Sequence, residues 1–306
     1  MEKTSAQTVE ITGEKYPKLL KEALGKLQPC LGPKKLYYKG NWPAMSSAEG
    51  SDIFKNCLAV VGSRHLTLYG RRATEQLVTE IAAAGITIVS GFMYGGDEAA
   101  HSAAVKCGGR TIAVMPCGIN IIHPPQHKKL YEEILQNNGL IISEYEGDLL
   151  PQTYTYIQRD RIVAGLSKAV LVTEAALNSG SLITASYAKK FGRKIFALPG
   201  QITSEVSKGT IKLIREGAEV VSEAGDILKY FKVLVNPVGQ APASAPPRGA
   251  LAGLEGKIIE QLKREPMKAD EMARLFALPV SQIGTALSLM QLKGFISNDL
   301  GKYYIS

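Results

Sequence analysis

Residues Cys57–Gly91 read CLAVVGSRHLTLYGRRATEQLVTEIAAAGITIVSG, and this stretch decides the fold. Its two ends, "CLAVV" and "ITIVS", are apolar at nearly every position, so each predicts a strand buried on both faces rather than one with a wet side. Between them, Tyr69–Ala84 has the spacing of an amphipathic helix. The same alternation runs on through a helical stretch at Asp97–Cys107 and the short apolar runs "RTIAVMP", "GLIISE", "AVLVTEA", "KIFALPG" and "AEVV". Strands of this type separated by helices predict an α/β domain with a largely parallel sheet flanked by helices. Ligands of such sheets collect outside the carboxyl ends of the strands, where the loops gather.

Those strand ends carry an unusual set of residues. "AVV" is followed by Gly62, Ser63 and Arg64, and "TIVS" by Gly91, with Gly95, Gly96 and Asp97 soon after. "FALP" is followed by Gly200. In "VTEAALNSGSLITASYAKKFG", Val172–Gly192, a strand stops at a small-residue turn and re-emerges as a helix at Ser179, Gly180, Ser181 and Thr184. One reading of that turn is an anion site, since first-turn amides and the helix dipole suit a phosphate. The other is a plain helix cap by Asn178 or Ser179. The clustering of glycines at one sheet edge favours a shared phosphate-lined groove. Asp97 is expected to cap its helix, with His101 one turn on in a structural role. Glu144 and Glu174 each end a strand, and their separation is not legible in sequence.

The bulk properties fit this frame. The 306 residues carry a net charge of +8, which favours polyanionic partners. From Leu251 onward there are seven Lys/Arg against six Asp/Glu, so nearly all of the excess, +7, lies in the first 250 residues. Polyanion binding is therefore expected in the large domain. The cysteines Cys30, Cys57, Cys107 and Cys117 are far apart, form no CxxC pair and follow no secretory leader, which predicts reduced thiols in a cytoplasmic protein. No metal or other cofactor is expected. His123 and His127 in "HPPQH" flank two prolines and read as a loop rather than a ligand face. No apolar run reaches the ~18 residues that would span a bilayer.

Between Asn236 and Ala250, "NPVGQAPASAPPRGA" has four prolines in fifteen residues and reads as a flexible linker. The expected division is an N-terminal segment packing on the core (1–50), a Rossmann-like domain (51–235), the linker (236–250) and a small winged-helix-like domain (251–306). The last follows from three short amphipathic helices and a hairpin wing, "SNDLGKYYI". Its third helix offers only Lys293 as a cation, which makes protein contact or packing the safer reading than duplex binding.

One further stretch bears on function: "PQTYTYIQRDRIVAGLS", Pro151–Ser167. Arg159 and Arg161, preceded by Tyr154 and Tyr156, combine charge for phosphates with rings for base stacking. The alternative is that the arginines pair with Asp160 and neighbouring carboxylates on a solvated surface while the tyrosines pack.

Taken together, "YPKLL", "LYYKGN", "VGSRHLTLYG", "IVSGFMYGGDEAAH", "RIVAGLS", "SGSLITA", "ALPGQI" and "LIREGA" resemble the DNA-processing protein A family (DprA/Smf), from about Tyr16 to Val221. The resemblance implies an extended Rossmann-like domain followed by a winged helix. It implies a non-enzymatic, sequence-independent single-stranded DNA binding protein of natural transformation and recombination that protects incoming DNA, helps load RecA and forms a homodimer. Carried over by position, it places DNA phosphates at Gly62, Ser63 and Arg64, at Arg159 and Arg161, and at the Ser179–Thr184 helix start, with Tyr156 stacking a base. Three positions depart from the family pattern: Asp160 stands where an asparagine is usual, Met93 where a small residue is usual, and Thr210 where an asparagine is usual.

Two rivals follow from the same residues. A nucleotide-binding or nucleotide-processing Rossmann-like enzyme would use the same helix start, but "SGSLITASYAKK" lacks the carboxylate such hydrolases place one turn in. A transcription regulator acting through the winged helix conflicts with that module's near-neutral charge.

Overall fold

The computed structural model describes residues 6–27, 32–43, 52–233, 253–292, 294–299 and 301–305. The chain divides into two units, 1–235 and 236–306. The linker expected at 236–250, together with Cys30 and Lys293, lies outside the described residues.

The larger unit runs β1 (Gln7–Glu10), α1 (Lys18–Leu24), β2 (Lys35–Gly40), β3 (Cys57–Val61), α2 (Leu68–Ala83), β4 (Thr87–Ser90), α3 (Gly96–Lys106), β5 (Thr111–Val114), α4 (Lys128–Gln136), β6 (Leu140–Ser143), α5 (Thr153–Leu166), β7 (Ala169–Val172), α6 (Ser181–Phe191), β8 (Lys194–Ala197), α7 (Lys208–Arg215), β9 (Glu219–Val220) and α8 (Ala224–Phe231). Every residue of β3 to β7 is buried, as strands covered on both faces must be. Alternation splits each strand between two cores. Leu58 and Val60 pack with Leu77, Ile81, Ala103 and Ile227 of α2, α3 and α8. Ala59 and Val61 pack on the other face with Leu20, Ile162, Ala185 and Phe191 of α1, α5 and α6. Helix α6 stops at Gly192, whose φ of 71° is the left-handed conformation that favours glycine.

The sheet order is β1-β2-β6-β5-β4-β3-β7-β8-β9, parallel from β6 to β9. From β3 the chain builds outward through β4, β5 and β6, then returns to lay β7 on the other side of β3. That reversal opens a crevice above the carboxyl ends of β3 and β7, where doubly wound sheets place ligands. Strands β1 and β2 lack the continuous apolar runs of the central strands. They join antiparallel beyond β6, pairing Tyr37 with Ser143, and only one or two residues of each are buried.

The smaller unit comprises α9 (Leu254–Arg264), β10 (Met267–Lys268), α10 (Ala269–Phe276), α11 (Val280–Leu292), β11 (Ile296–Asp299) and β12 (Lys302–Ile305). Its antiparallel sheet has the order β10-β12-β11. A core of its own gathers Ile258, Leu262, Met272, Ile283, Leu287, Met290 and Ile296. The chain bends by 119° between α10 and α11, giving a helix-turn-helix with a two-stranded wing. Ser281, Gln282, Thr285, Ser288 and Leu289 are exposed on α11, so its described outer face carries no charge. Among the described residues no single helix is long and apolar enough to cross a membrane.

Candidate nucleic-acid interface

Strand β3 ends in Gly62, and the chain must turn there beneath the start of α3. A Cβ on Gly62 would stand 2.4 Å from Thr173 Oγ1 and 3.3 Å from Gly96 Cα, so only glycine lets β7 and α3 close on this loop. Ser63 is held on both sides: its N–H donates to Glu174 O at 2.7 Å, and its carbonyl accepts from Gly96 N–H at 3.0 Å. Its hydroxyl accepts from His65 N–H at 3.1 Å. The Ser63 backbone is thus committed within the protein, and the half-buried loop that Gly62 and Ser63 build projects Arg64 into solvent.

Glu174 finishes the job. Buried at the end of β7, its carboxylate accepts from Thr67 N–H at 2.8 Å and from Thr67 Oγ1 at 2.6 Å. The Thr67 hydroxyl in turn caps α2 by accepting from Gly70 N–H at 3.0 Å. The sequence marks Glu174 only as a strand-end carboxylate, because its partners are 107 positions away. Glu144, the other strand-end carboxylate, is engaged elsewhere, so the two do not form an acid pair.

These loops bound a groove of about 600 Å³ above the β3/β7 reversal. It is lined by Gly62, Ser63, Arg64, Tyr156, Arg159, Ser179, Gly180, Ser181 and Thr184, nine residues that the sequence and the resemblance singled out. Among the described residues Arg64 is an exposed cation that forms no ion pair, and its guanidinium sits 5.2 Å over the Tyr156 ring. Tyr156 is held in place by its hydroxyl, 2.7 Å from His123 Nε2. Burial and the nearby Arg64 charge lower the His123 pKa, which keeps that ring neutral and able to accept. One face of Tyr156 is therefore covered by Arg64 rather than open for a base.

The helix start is narrower than an ideal anion site. Leu182 and Ile183 N–H already donate to Ser179 and Gly180 carbonyls at 3.1 and 2.9 Å. Ser181 N–H reaches only Ser179 Oγ, at 3.4 Å, and the two hydroxyls are 2.8 Å apart. A Cβ on Gly180 would meet nothing within 4 Å, so this turn faces open space, ready for a ligand to approach. Of the two cap candidates, Ser179 accepts from a first-turn amide, by the long bond to Ser181 N–H.

The two arginines of α5 part company. Arg159 lines the groove but is 5% exposed, and its guanidinium braces the sheet by donating to the carbonyls of Gly91 and, at 2.7 Å, of Val114. Its Nε donates to Asp160 Oδ1 at 3.0 Å. A Cβ on Gly91 would collide with that guanidinium at 2.1 Å, which explains the glycine. Arg161 is not among the groove-lining residues. It forms a bidentate pair with Glu144, at 3.0 and 2.6 Å, with both side chains under 9% exposed. The expectation that Arg161 holds a phosphate is corrected by its position: two residues along a helix is about 200°, so it faces away from the groove that Arg159 lines.

Two carboxyls share the groove with these cations. Asp97 is not the cap of α3, a position taken by Gly95; it lies in the first turn and accepts from Met93 N–H at 3.2 Å. Burial raises its pKa, opposed by Arg159 and by its hydrogen bonds. Burial also pushes Asp160 up to about 6, with Arg159 and Arg64 pulling down and Asp97 pushing further up. Met93 lines the groove, whereas Thr210 is buried beneath the loop and donates to Ser207 O at 3.0 Å. His101 is buried and bonded to Thr111 Oγ1 at 2.7 Å, consistent with a structural role. No group of three or more potential metal-ligating side chains occurs among the described residues.

Residues 7–232 match the family described as DNA recombination-mediator protein A, and residues 241–302 match the DprA winged helix domain. The chain is 36% identical over 274 residues to Protein Smf of Escherichia coli (strain K12), covering 89% of this chain and 71% of that protein. It is 38% identical over 200 residues to the DNA processing protein DprA of Streptococcus pneumoniae, covering 65% and 67%. The X-ray structure of DprA from Streptococcus pneumoniae superposes with a TM-score of 0.65 at 36% identity, covering 73% of each chain. The Helicobacter pylori DNA processing protein A, whose structure concerns a single-stranded DNA binding mode, superposes with a TM-score of 0.63 at 32% identity, covering 74% of this chain and 96% of that one.

Proposed function

Because this chain belongs to the DNA recombination-mediator protein A family (DprA/Smf), we propose that its β3/β7 groove grips the sugar-phosphate backbone of single-stranded DNA without reading base identity. The observation that carries this reading is Arg64: an exposed guanidinium with no ion pair among the described residues, fixed by the Ser63–Glu174 and Thr67–Glu174 bonds opposite an open serine-glycine helix start. A cation held without a carboxylate partner keeps its charge for a ligand phosphate. The proposed contacts are the Arg64 side chain, the Ser179 and Ser181 hydroxyls and the Gly180 turn. Gly62, Ser63, Thr184 and Arg159 shape the groove, and Tyr156 supports Arg64. In the cell this strand would be DNA entering during natural transformation, protected in the cytoplasm and passed to RecA by a homodimer. Electrophoretic shifts with single- and double-stranded oligonucleotides test the core of the reading: preference for the duplex would refute it.

The winged unit is proposed to contribute little to this binding. Its outer α11 face lacks charge among the described residues, and phosphate neutralisation supplies most sequence-independent affinity. Deleting residues 251–306 is expected to leave single-strand affinity within about threefold of the full chain. A loss of an order of magnitude, read by fluorescence anisotropy, would assign the winged unit a DNA-binding role.

Asp160 makes binding depend on pH. A phosphate entering the groove adds negative charge beside its carboxyl, so the strand binds better when Asp160 is protonated. With the Asp160 pKa near 6, affinity rises as pH falls from 7.5 to 5.5. The expected gain is roughly five- to tenfold beyond any change in Asp160→Asn, which lacks the titrating group. Equal pH slopes for the two proteins would contradict this. The same raised pKa favours one second reading, in which Asp160 is a general acid acting on a bound nucleotide. Release of base or phosphate from a nucleotide by the wild type and not by Asp160→Asn would establish it.

A further inference from the structure

The elements around the groove hold three aliphatic side chains in water: Ile157 is 43% exposed, Leu177 58% and Ile202 85%. They come from three elements: α5, the β7–α6 loop and the β8–α7 loop. Ile157 lines the groove directly, and Leu177 lies between Ala176 and Asn178, which both line it. Ile202 belongs to the loop that supplies Val206 to the lining. That loop is tied to the β7–α6 loop by Val206 O accepting from Ala175 N–H at 2.6 Å, and by Gly209 N–H donating to Ala175 O at 2.7 Å. Single exposed aliphatics are ordinary on protein surfaces. One on α5 at the groove and two on hydrogen-bonded loops that each supply lining residues are not scattered.

We propose that Ile157, Leu177 and Ile202 form an apolar rim that contacts the faces of unpaired bases and thereby selects single strands over duplex. The inference rests on the reading of the groove as a backbone site and names the feature that the backbone alone does not supply. Phosphates are common to both forms of DNA, so Arg64 and the serine turn attract either. In a duplex the base faces are stacked on one another and only their edges are exposed in the grooves; an unpaired strand offers apolar faces. A strand held at Arg64 and Gly180 would have its bases within reach of Ile157 at the groove and of Leu177 and Ile202 on the adjoining loops. Aliphatic contact is indifferent to which base is present, which agrees with sequence-independent binding.

The test uses the full chain and two probes of equal length: a mixed-sequence single-stranded oligonucleotide and an abasic phosphodiester chain. The wild type is expected to prefer the base-bearing chain by about tenfold, the advantage of burying one or two aliphatic side chains against bases. In the double variant Leu177→Ser with Ile202→Ser, that ratio falls to within about threefold, and because both side chains are exposed the melting temperature stays put. Arg64→Ala lowers affinity for both probes alike. The rim is overturned if the double variant keeps the wild-type ratio, or if the wild type binds both chains equally. Failure of the wild type to bind either probe would instead refute the groove reading on which the rim depends.

Discussion

Arg64→Ala is expected to lower single-stranded DNA affinity by about 10- to 100-fold, with a fall in melting temperature of no more than about 4 °C. The range follows from losing one charge-assisted hydrogen bond, about 1.5–3 kcal/mol. Stability is spared because the side chain is exposed and pairs with no carboxylate among the described residues; its contact over Tyr156 is worth only about 0.5–1 kcal/mol at an exposed site. Two signatures separate this from generic damage. The salt dependence of binding should flatten by roughly 0.7 in log–log slope, the contribution of one neutralised phosphate on a single strand. The loss should also be the same for oligonucleotides of any sequence. Arg64→Lys restores the charge but not the planar fork, so it should recover only part of the affinity. Wild-type affinity in Arg64→Ala, or a loss confined to one sequence, would show that the groove does not hold the backbone through this residue.

The opposite behaviour is expected at Arg161. Replacing it with alanine strands the Glu144 carboxylate, 8% exposed, without its bidentate partner. Breaking a buried pair from one side costs about 3–5 kcal/mol, because the remaining charge is neither solvated nor matched. For a unit of this size that corresponds to a fall in melting temperature of roughly 10 °C. Glu144→Ala should cost a similar amount, and replacing both residues with methionine should recover most of it, since an apolar pair of similar volume carries no desolvation penalty. The molecules that remain folded should bind DNA nearly as wild type. Thermal denaturation and anisotropy on the same samples decide the matter. A stable Arg161→Ala protein with lost affinity would return Arg161 to the interface.

The contrast between these arginines shows what side-chain chemistry conveys and what it does not. "RDR" reads as two cations beside an acid, and composition treats them alike. The fold spends one on the carbonyls of Gly91 and Val114 and the other on Glu144, leaving Arg64 as the groove's exposed guanidinium. Neither commitment has a local signature, since the partners lie 17 to 68 positions away. Glu174 is similar: a strand-end glutamate becomes the clamp of the Arg64 loop only once β7 is laid beside β3.

By itself the sequence determined the layered α/β core, the position of the sheet's carboxyl edge and the small three-helix unit with its wing. Those follow from hydrophobic period, turn residues and helix spacing, which are local properties of contiguous residues. Nine of the ten residues it marked for DNA line the groove, because glycines and serines at strand ends are needed there for close packing and open approach. Only the tertiary structure decided which charges remain available, how the antiparallel β1 and β2 extend the sheet, and that the exposed Ile157 lines the crevice beside the loops that carry Leu177 and Ile202. Ion pairing, burial and strand order are set by contacts between distant segments, and a guanidinium is free or spent according to what the fold brings within about 3 Å of it.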